Sequence, residues 1–360
     1  MAITPAPLSV PVSVLGAGSW GTALAHLAAQ RSPTCIWARQ ASSVDSINNQ
    51  HQLPQYLPGV ELDPRLQATT CLKSAVDHAL SNTNQAGVIL LGVPLASLAA
   101  VCQQLAQYLP AQRQQPVYII RTSKGIDPIH YELPHQITAR HLPTYRYLHT
   151  GTLSGPSFAL EVAQGLPVGL TIASLSPDLA ACLVQLLHGH SARIYSSTDL
   201  IGVEVGGALK NIMAIACGIS DGLQLGTNAR AALVTRGLAE IQRLGVAMGG
   251  QAATFMGLTG LGDLVLTTTG DLSRNRQVGL AIAQGQSLEQ LLASGLTAEG
   301  VRCAQAALHL ATQLQVSAPI TDAVCQVLFN HLPPITAVQQ LLAREARFEQ
   351  QPATHSHPSD

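Results

Sequence analysis

Along the first half of the chain, short and nearly unbroken apolar runs alternate with stretches in which apolar residues return every three or four positions. Residues 12–15, 34–38, 87–93 and 117–121 are the apolar runs, and residues 22–30 form an Ala/Leu stretch of helical period. A strand covered on both faces reads as a continuous apolar run, whereas a one-faced strand alternates. Strands of the first kind separated by helices predict a parallel, doubly wound sheet. Shorter β-like pieces at 147–152, 168–173 and 192–195 are expected to extend it. From about Asp199 the pattern changes. Residues 202–219, 230–248, 275–284, 287–293 and 301–313 all read as helices, with few strand signals between them. The expected fold class is therefore α/β, a doubly wound sheet followed by an all-α C-terminal domain. Its expected bounds are 1–196 for the first domain, 197–347 for the second, and a polar, Pro-containing disordered tail over 348–360. No internal repeat is visible.

Composition narrows the classes. A chain of 360 residues has room for two cores. A formal net charge of −1, with no long basic run, leaves no electrostatic footprint for nucleic acid or an anionic membrane. Only 4% of residues are aromatic against 47% hydrophobic, so packing must rest on Ala, Leu, Val and Ile in close helix contacts. The seven cysteines are scattered with no C-x-x-C pair. They argue against a disulfide framework or zinc site and read as small core residues in a reducing, cytoplasmic compartment. The thirteen histidines show no ligand spacing, and no metal is expected. The N-terminal apolar stretch lacks a basic start and runs into a Gly-rich turn, so it reads as a first strand rather than a signal peptide. The run over 86–101 is broken by Pro94 and too short to span a bilayer, so no membrane span is expected.

The Gly-rich turn carries the first chemistry. Gly16, Gly18 and Gly21 form G-x-G-x-x-G between the first strand and the first helix, the context in which this motif marks a Rossmann-type dinucleotide site. The first glycine permits the tight turn, the second admits a pyrophosphate to the backbone, and the third lets helix and strand pack closely. A NAD-preferring site would present Asp or Glu to the ribose at the end of the second strand. The chain has Ala38-Arg39-Gln40 there. An arginine can pair with a 2′-phosphate, so NADP is expected to be preferred over NAD.

Lysine usage carries the second. The chain has three lysines, Lys73, Lys124 and Lys210, among 19 basic residues. Where only a solvated cation is wanted the two residue types are nearly exchangeable. Lysine differs in that burial can bring its pKa toward neutrality, so it can give and take a proton.

Six short motifs then occur in order: Gly16-Ala-Gly-Ser-Trp-Gly-Thr-Ala-Leu-Ala25, Ser123-Lys-Gly-Ile126, Ser154-Gly-Pro-Ser-Phe-Ala159, Leu209-Lys-Asn-Ile212, Gly260-Leu-Gly-Asp-Leu264 and Ser273-Arg-Asn-Arg276, followed by Ala298-Glu-Gly-Val-Arg302. In this order and spacing the chain resembles the bacterial-type NAD(P)-dependent glycerol-3-phosphate dehydrogenases over nearly its whole length apart from both tails. The resemblance implies reversible hydride transfer between NAD(P)H and dihydroxyacetone phosphate, giving sn-glycerol 3-phosphate for phospholipid synthesis. It implies Ser19, Trp20, Arg39, Ala159 and Glu299 as cofactor contacts, and Lys124 and Arg274 as contacts to both cofactor and substrate. It implies Gly155, Ser157, Asp263, Ser273 and Asn275 as substrate contacts, and Lys210 as the proton acceptor, also at the substrate. The segment Gly92-Val-Pro-Leu-Ala96 departs from relatives, which often carry a polar residue after the proline.

The residues themselves agree with that chemistry. Reducing a ketone by hydride needs a group that polarises the carbonyl and protonates the developing alkoxide. Lys210 stands in an apolar helix whose Gly206 and Gly207 are expected to leave space for a ligand, with Asn211 and Asp263 as candidate orienters. Ser273-Arg274-Asn275 at a predicted helix start offers hydroxyl, guanidinium and amide to a phosphate, although a simple helix cap would use the same residues. Two other functions stay open: a β-hydroxyacid dehydrogenase, whose substrate would carry a carboxylate, and a nicotinamide-binding sensor without turnover. The oligomeric state is not fixed, a homodimer being among those allowed.

Overall fold

The computed structural model describes residues 8–189, 191–293 and 298–345; the expected tail over 348–360 lies outside them. Eight strands form one sheet in the order β3-β2-β1-β4-β5-β6-β7-β8, with β1 Val12–Leu15, β2 Thr34–Trp37, β3 Gln67–Thr69, β4 Gly87–Leu91, β5 Val117–Arg121, β6 Leu148–Ser154, β7 Val168–Ser174 and β8 Ala192–Ser197. All neighbouring pairs are parallel except β6 and β7, which run antiparallel. Strands β1, β4 and β5 are mostly apolar and buried on both faces, as parallel strands under helices must be. The connecting helices are α1 Ser19–Ala29, α2 Ala41–Asp45, α3 Leu72–Leu80, α4 Leu95–Ala106, α5 Pro134–His141, α6 Ala159–Ala163 and α7 Pro177–Leu187.

The C-terminal part is helical throughout its described residues: α8 Leu200–Gly222, α9 Gly226–Ala247, α10 Ala252–Phe255, α11 Asp263–Thr269, α12 Arg274–Ala283, α13 Leu288–Ala293, α14 Glu299–Gln313, α15 Pro319–Phe329 and α16 Pro334–Leu342. A π-helical turn at Leu258–Gly262 leads into α11. Helix α8 is apolar around most of its circumference because α9, α11, α12, α14 and α15 all pack on it. It is long and apolar enough to cross a membrane by length alone, but 89% of its apolar window is buried inside the fold.

The start of α8 is tied to the sheet. Asp199 caps it by accepting from the Gly202 N–H at 2.8 Å, and its other oxygen accepts from the Gln251 N–H and the Thr254 hydroxyl. Fully buried Glu204 pairs with Arg121 at the end of β5, at 3.1 Å, and also accepts from Thr152 on β6 and from the His135 backbone at the start of α5. Burying the Glu204 carboxylate is tolerable because both its oxygens are satisfied, although Arg121 Nη2 finds no hydrogen-bond partner among the described residues. The clamp sets where every later residue of α8 stands relative to the strand ends.

Three expectations need correction. Helix α1 begins at Ser19 rather than at 22, because Gly18 serves as its N-cap. Cys71 is exposed, not a core residue, since it caps α3 at the surface. The antiparallel β6–β7 pairing replaces a purely parallel sheet at that edge.

Candidate functional site

The glycine turn has the shape that a pyrophosphate needs. Gly16 has φ +119°, and a Cβ there would stand 2.7 Å from the Gly92 carbonyl oxygen. A side chain at Gly21 would be driven into the Gly16 carbonyl, whereas one at Gly18 would meet nothing within 4 Å. The turn is thus closed behind and open in front. Gly18 caps α1 without any side-chain hydrogen bond, so the first N–H groups of the helix, from Ser19 onward, keep their capacity to bind an anion. Trp20 and Ala159 both pack on the same apolar core beside this turn, where α1 meets α6. Arg39 is exposed just after β2, and no acidic residue precedes Asp45 on that side. These residues fit a dinucleotide.

Across the strand ends, three charged side chains from distant parts of the chain converge. Asp263, fully buried at the first position of α11, accepts from the Lys210 ammonium on one oxygen and from Lys124 Nζ at 2.7 Å on the other. Lys210 Nζ also donates to Thr267 Oγ1 at 2.9 Å. Lys124 Nζ donates to the Gly155 carbonyl at 3.2 Å, which also accepts from the Ser157 hydroxyl at 3.2 Å. Burial drives the Lys210 pKa down to about 7; the Asp263 carboxylate works against that shift and the neighbouring Lys124 adds to it. A lysine so placed can exchange a proton near neutrality. Two cations sharing one carboxylate also leave the site receptive to an anion.

The segment Gly155–Ala159 packs against both ends of α11: a Cβ on Gly262 would lie 3.6 Å from Pro156, and one on Gly270 2.6 Å from the Phe158 ring. This brings Ser157 toward the start of α12. There Ser273 Oγ caps the helix, accepting from the Arg276 N–H at 3.3 Å. Arg274 is exposed and makes no ion pair among the described residues, while Arg276 is committed to Asp221 and Asp271. Arg274 is therefore the guanidinium available to a phosphate. Asn275 is turned inward: its Nδ2 donates to Asn211 Oδ1 at 3.0 Å and its Oδ1 accepts from the Gly300 N–H at 2.9 Å. Glu299 stands next to Gly300, close to Gly125 of the Lys124 loop. Burial raises its pKa in spite of nearby Arg302 and Arg274.

Two readings of individual residues change. Asn211 orients Asn275, not Lys210. The space beside Gly206 and Gly207 is not open to a ligand but filled, by the Thr259 carbonyl and by the Ser154 and Lys124 side chains respectively. Thr267 was not anticipated. Its signal was available, since an Asp and a Thr four apart on one helix share a face, and Thr267 Oγ1 donates to the Asp263 carbonyl at 2.6 Å. Among the described residues no group of three His, Cys, Asp or Glu is placed to hold a metal ion.

Two family models match the chain: the N-terminus of NAD-dependent glycerol-3-phosphate dehydrogenase over residues 11–180, and the C-terminus of the same enzyme over 199–339. A glycerol-3-phosphate dehydrogenase [NAD(P)+] of Ralstonia nicotianae is 51% identical over 341 residues, covering 94% of this chain and 98% of that protein. The crystal structure of glycerol-3-phosphate dehydrogenase from Coxiella burnetii superposes with a TM-score of 0.84 at 37% identity, over 94% of this chain and all of that one. The glycerol-3-phosphate dehydrogenase structure from Saccharomyces cerevisiae gives 0.77 at 26% identity, covering 93% of this chain and 99% of that one.

Proposed function

The chain belongs to the NAD-dependent glycerol-3-phosphate dehydrogenase family, and on that premise we propose how its own residues carry the reversible reduction of dihydroxyacetone phosphate to sn-glycerol 3-phosphate. The observation that carries the reading is Asp263 bridging Lys124 and Lys210 at the strand ends, opposite the glycine turn. When bound, the nicotinamide cofactor supplies or takes the hydride. Lys210 donates a proton to the oxygen of the ketone as it becomes an alkoxide, and takes it back from the hydroxyl in the reverse direction. Asp263 and Thr267 hold its ammonium in place. Lys124 steadies the same substrate oxygens and bridges toward the cofactor, with Gly155 and Ser157 forming the wall beside it.

The substrate phosphate, with about −1.5 to −2 charges, falls to Arg274 and the backbone at the start of α12. Ser273 and Asn275 shape that helix start, their side chains being engaged in capping and in the link to Asn211. Gly16, Gly18, Ser19, Trp20 and Gly21 hold the pyrophosphate side of the cofactor, with Ala159 beneath and Glu299 at the far wall. The sheet half carries the pyrophosphate turn, and the reacting centre draws on both halves, with Lys124, Gly155 and Ser157 from one and Lys210, Asp263 and Arg274 from the other. A cytoplasmic location fits seven cysteines without a disulfide. We read the working form as a homodimer, which sedimentation would test, and its product as a precursor of phospholipids.

Cofactor choice is the testable edge of this reading. With Arg39 exposed after β2 and no carboxylate beside it, NADPH is expected to serve better than NADH in steady-state reduction of dihydroxyacetone phosphate. Arg39→Asp should weaken NADPH and relax or reverse the preference, since the carboxylate repels a 2′-phosphate and accepts from free ribose hydroxyls. An unchanged ratio of kcat/KM for the two cofactors in that variant would remove Arg39 from the site. Small 3-hydroxy acids, offered with NADP+ in the oxidative direction, should be inert; turnover with them would favour a carboxylate substrate instead.

A further inference from the structure

Two adjacent glycines of α8 face different surroundings. A Cβ on Gly206 would stand 2.5 Å from the Thr259 carbonyl oxygen, which is backbone and cannot easily yield. A Cβ on Gly207 would meet side chains only: Ser154 Oγ at 3.2 Å, and Cδ and Cγ of Lys124 at 3.4 Å. Among the described residues the Ser154 hydroxyl is buried without a hydrogen-bond partner. The aliphatic stem of Lys124 therefore lies along bare backbone of α8, one turn before Lys210. From that slot its ammonium reaches Asp263 and the Gly155 carbonyl.

We propose that Gly207 is a positioning residue of the reaction: its missing side chain is the slot for the Lys124 stem, and so fixes how Lys124 shares Asp263 with Lys210. The inference rests on the reading of Lys124 and Lys210 as substrate-side groups. A methyl at 207 would press on both neighbours. The Ser154 hydroxyl, holding no partner, can rotate away at little cost. The lysine stem, at 3.4 Å, must give by a few tenths of an ångström, which loosens the hold of its ammonium on Asp263. The charged groups facing Lys210 from the elements packed on α8 are Asp263 on α11 and Lys124 on the loop after β5. Loosening Lys124 lessens the push of its cation on the Lys210 proton, so Lys210 would hold that proton to somewhat higher pH. The substrate would lose a directional contact at the same time.

The test compares Gly207→Ala, Lys124→Ala and the double variant with the parent enzyme. Alanine is the better helix former, so Gly207→Ala should keep a thermal midpoint at or above the parental one. Its kcat/KM for dihydroxyacetone phosphate should nevertheless fall several-fold, up to about tenfold, the scale of a positioning group displaced by a fraction of an ångström. The pH above which reduction declines should move upward. In the double variant the stem is gone, so the methyl fits and activity should equal that of Lys124→Ala alone. A Gly207→Ala enzyme with parental kcat/KM and pH profile overturns the proposal. So does a further tenfold loss in the double variant, which would mean that the methyl acts on something other than Lys124. If Gly207→Ala alone does not fold, the double variant still decides, since only the proposal expects it to fold and match Lys124→Ala. A Lys124→Ala enzyme at the parental rate would overturn the assignment beneath the proposal, and is distinguishable because Gly207 plays no part in that result.

Discussion

An enzyme carrying Lys210→Arg is expected to reduce dihydroxyacetone phosphate at least about a hundredfold more slowly than the parent at the same pH, the usual scale for losing a positioned acid–base group. The charge survives the change, so Asp263 keeps a cationic partner. What is lost is the proton. A guanidinium does not release one near neutrality, whereas burial has brought the Lys210 ammonium down to about 7. The broader head must also fit a pocket already lined by Asp263, Thr267 and Lys124. NADPH affinity, read by fluorescence titration, should be nearly parental because the Lys210 ammonium contacts Asp263 and Thr267 and none of the glycine-turn residues. Turnover close to the parental value at the parental pH optimum would transfer the proton to another group, with Lys124 the next candidate.

Asp263→Ala is expected to damage both stability and rate. It strands two ammonium groups around a buried void, and removing one partner of a buried pair costs on the order of 3 kcal/mol. The carboxylate is also what holds the Lys210 proton against burial. Without it the folded-state pKa of Lys210 drops further below the ordinary lysine value. A lysine with a depressed folded pKa costs stability at low pH, where it must be charged in both states. That cost fades as pH rises through the folded value toward the unfolded one. The variant's thermal midpoint should therefore climb with pH across the neutral range more steeply than the parental one. At neutral pH its Lys210 should stand deprotonated, and reduction should fall by about a hundredfold or more. A variant with parental midpoint and parental rate would show that Asp263 merely fills space.

Much of this was legible in the chain, for reasons that differ from element to element. Strands β1, β2, β4 and β5 announce themselves because burial on both faces favours apolar residues at most of their positions. Strand β3 does not, since Gln67–Thr69 is three residues at the sheet edge and mixed in polarity. The reversal between β6 and β7 is invisible because side-chain pattern carries no strand direction. Helices α15 and α16 were passed over although Pro319 and Pro334 open them at the favoured first position. Lys210 and Lys124 stand out through the scarcity of lysine, and Asp263 is legible as a candidate orienter, but not as the partner of both. Asp263 lies 139 residues from one and 53 from the other along the chain, and only folding brings them together. Gly206 and Gly207 look alike in sequence. Their neighbours separate them, one packed on backbone and the other on a lysine.

The most direct test is the pH dependence of kcat/KM on the parent enzyme in both directions, dihydroxyacetone phosphate reduction and sn-glycerol 3-phosphate oxidation. Reduction needs Lys210 protonated and oxidation needs it neutral. With a pKa of about 7, reduction should decline and oxidation should rise as pH passes through neutrality, and Lys210→Arg should lack both limbs. Profiles that stay flat across the neutral range, or that move in the same direction for both reactions, would contradict Lys210 as the group that gives and takes the proton.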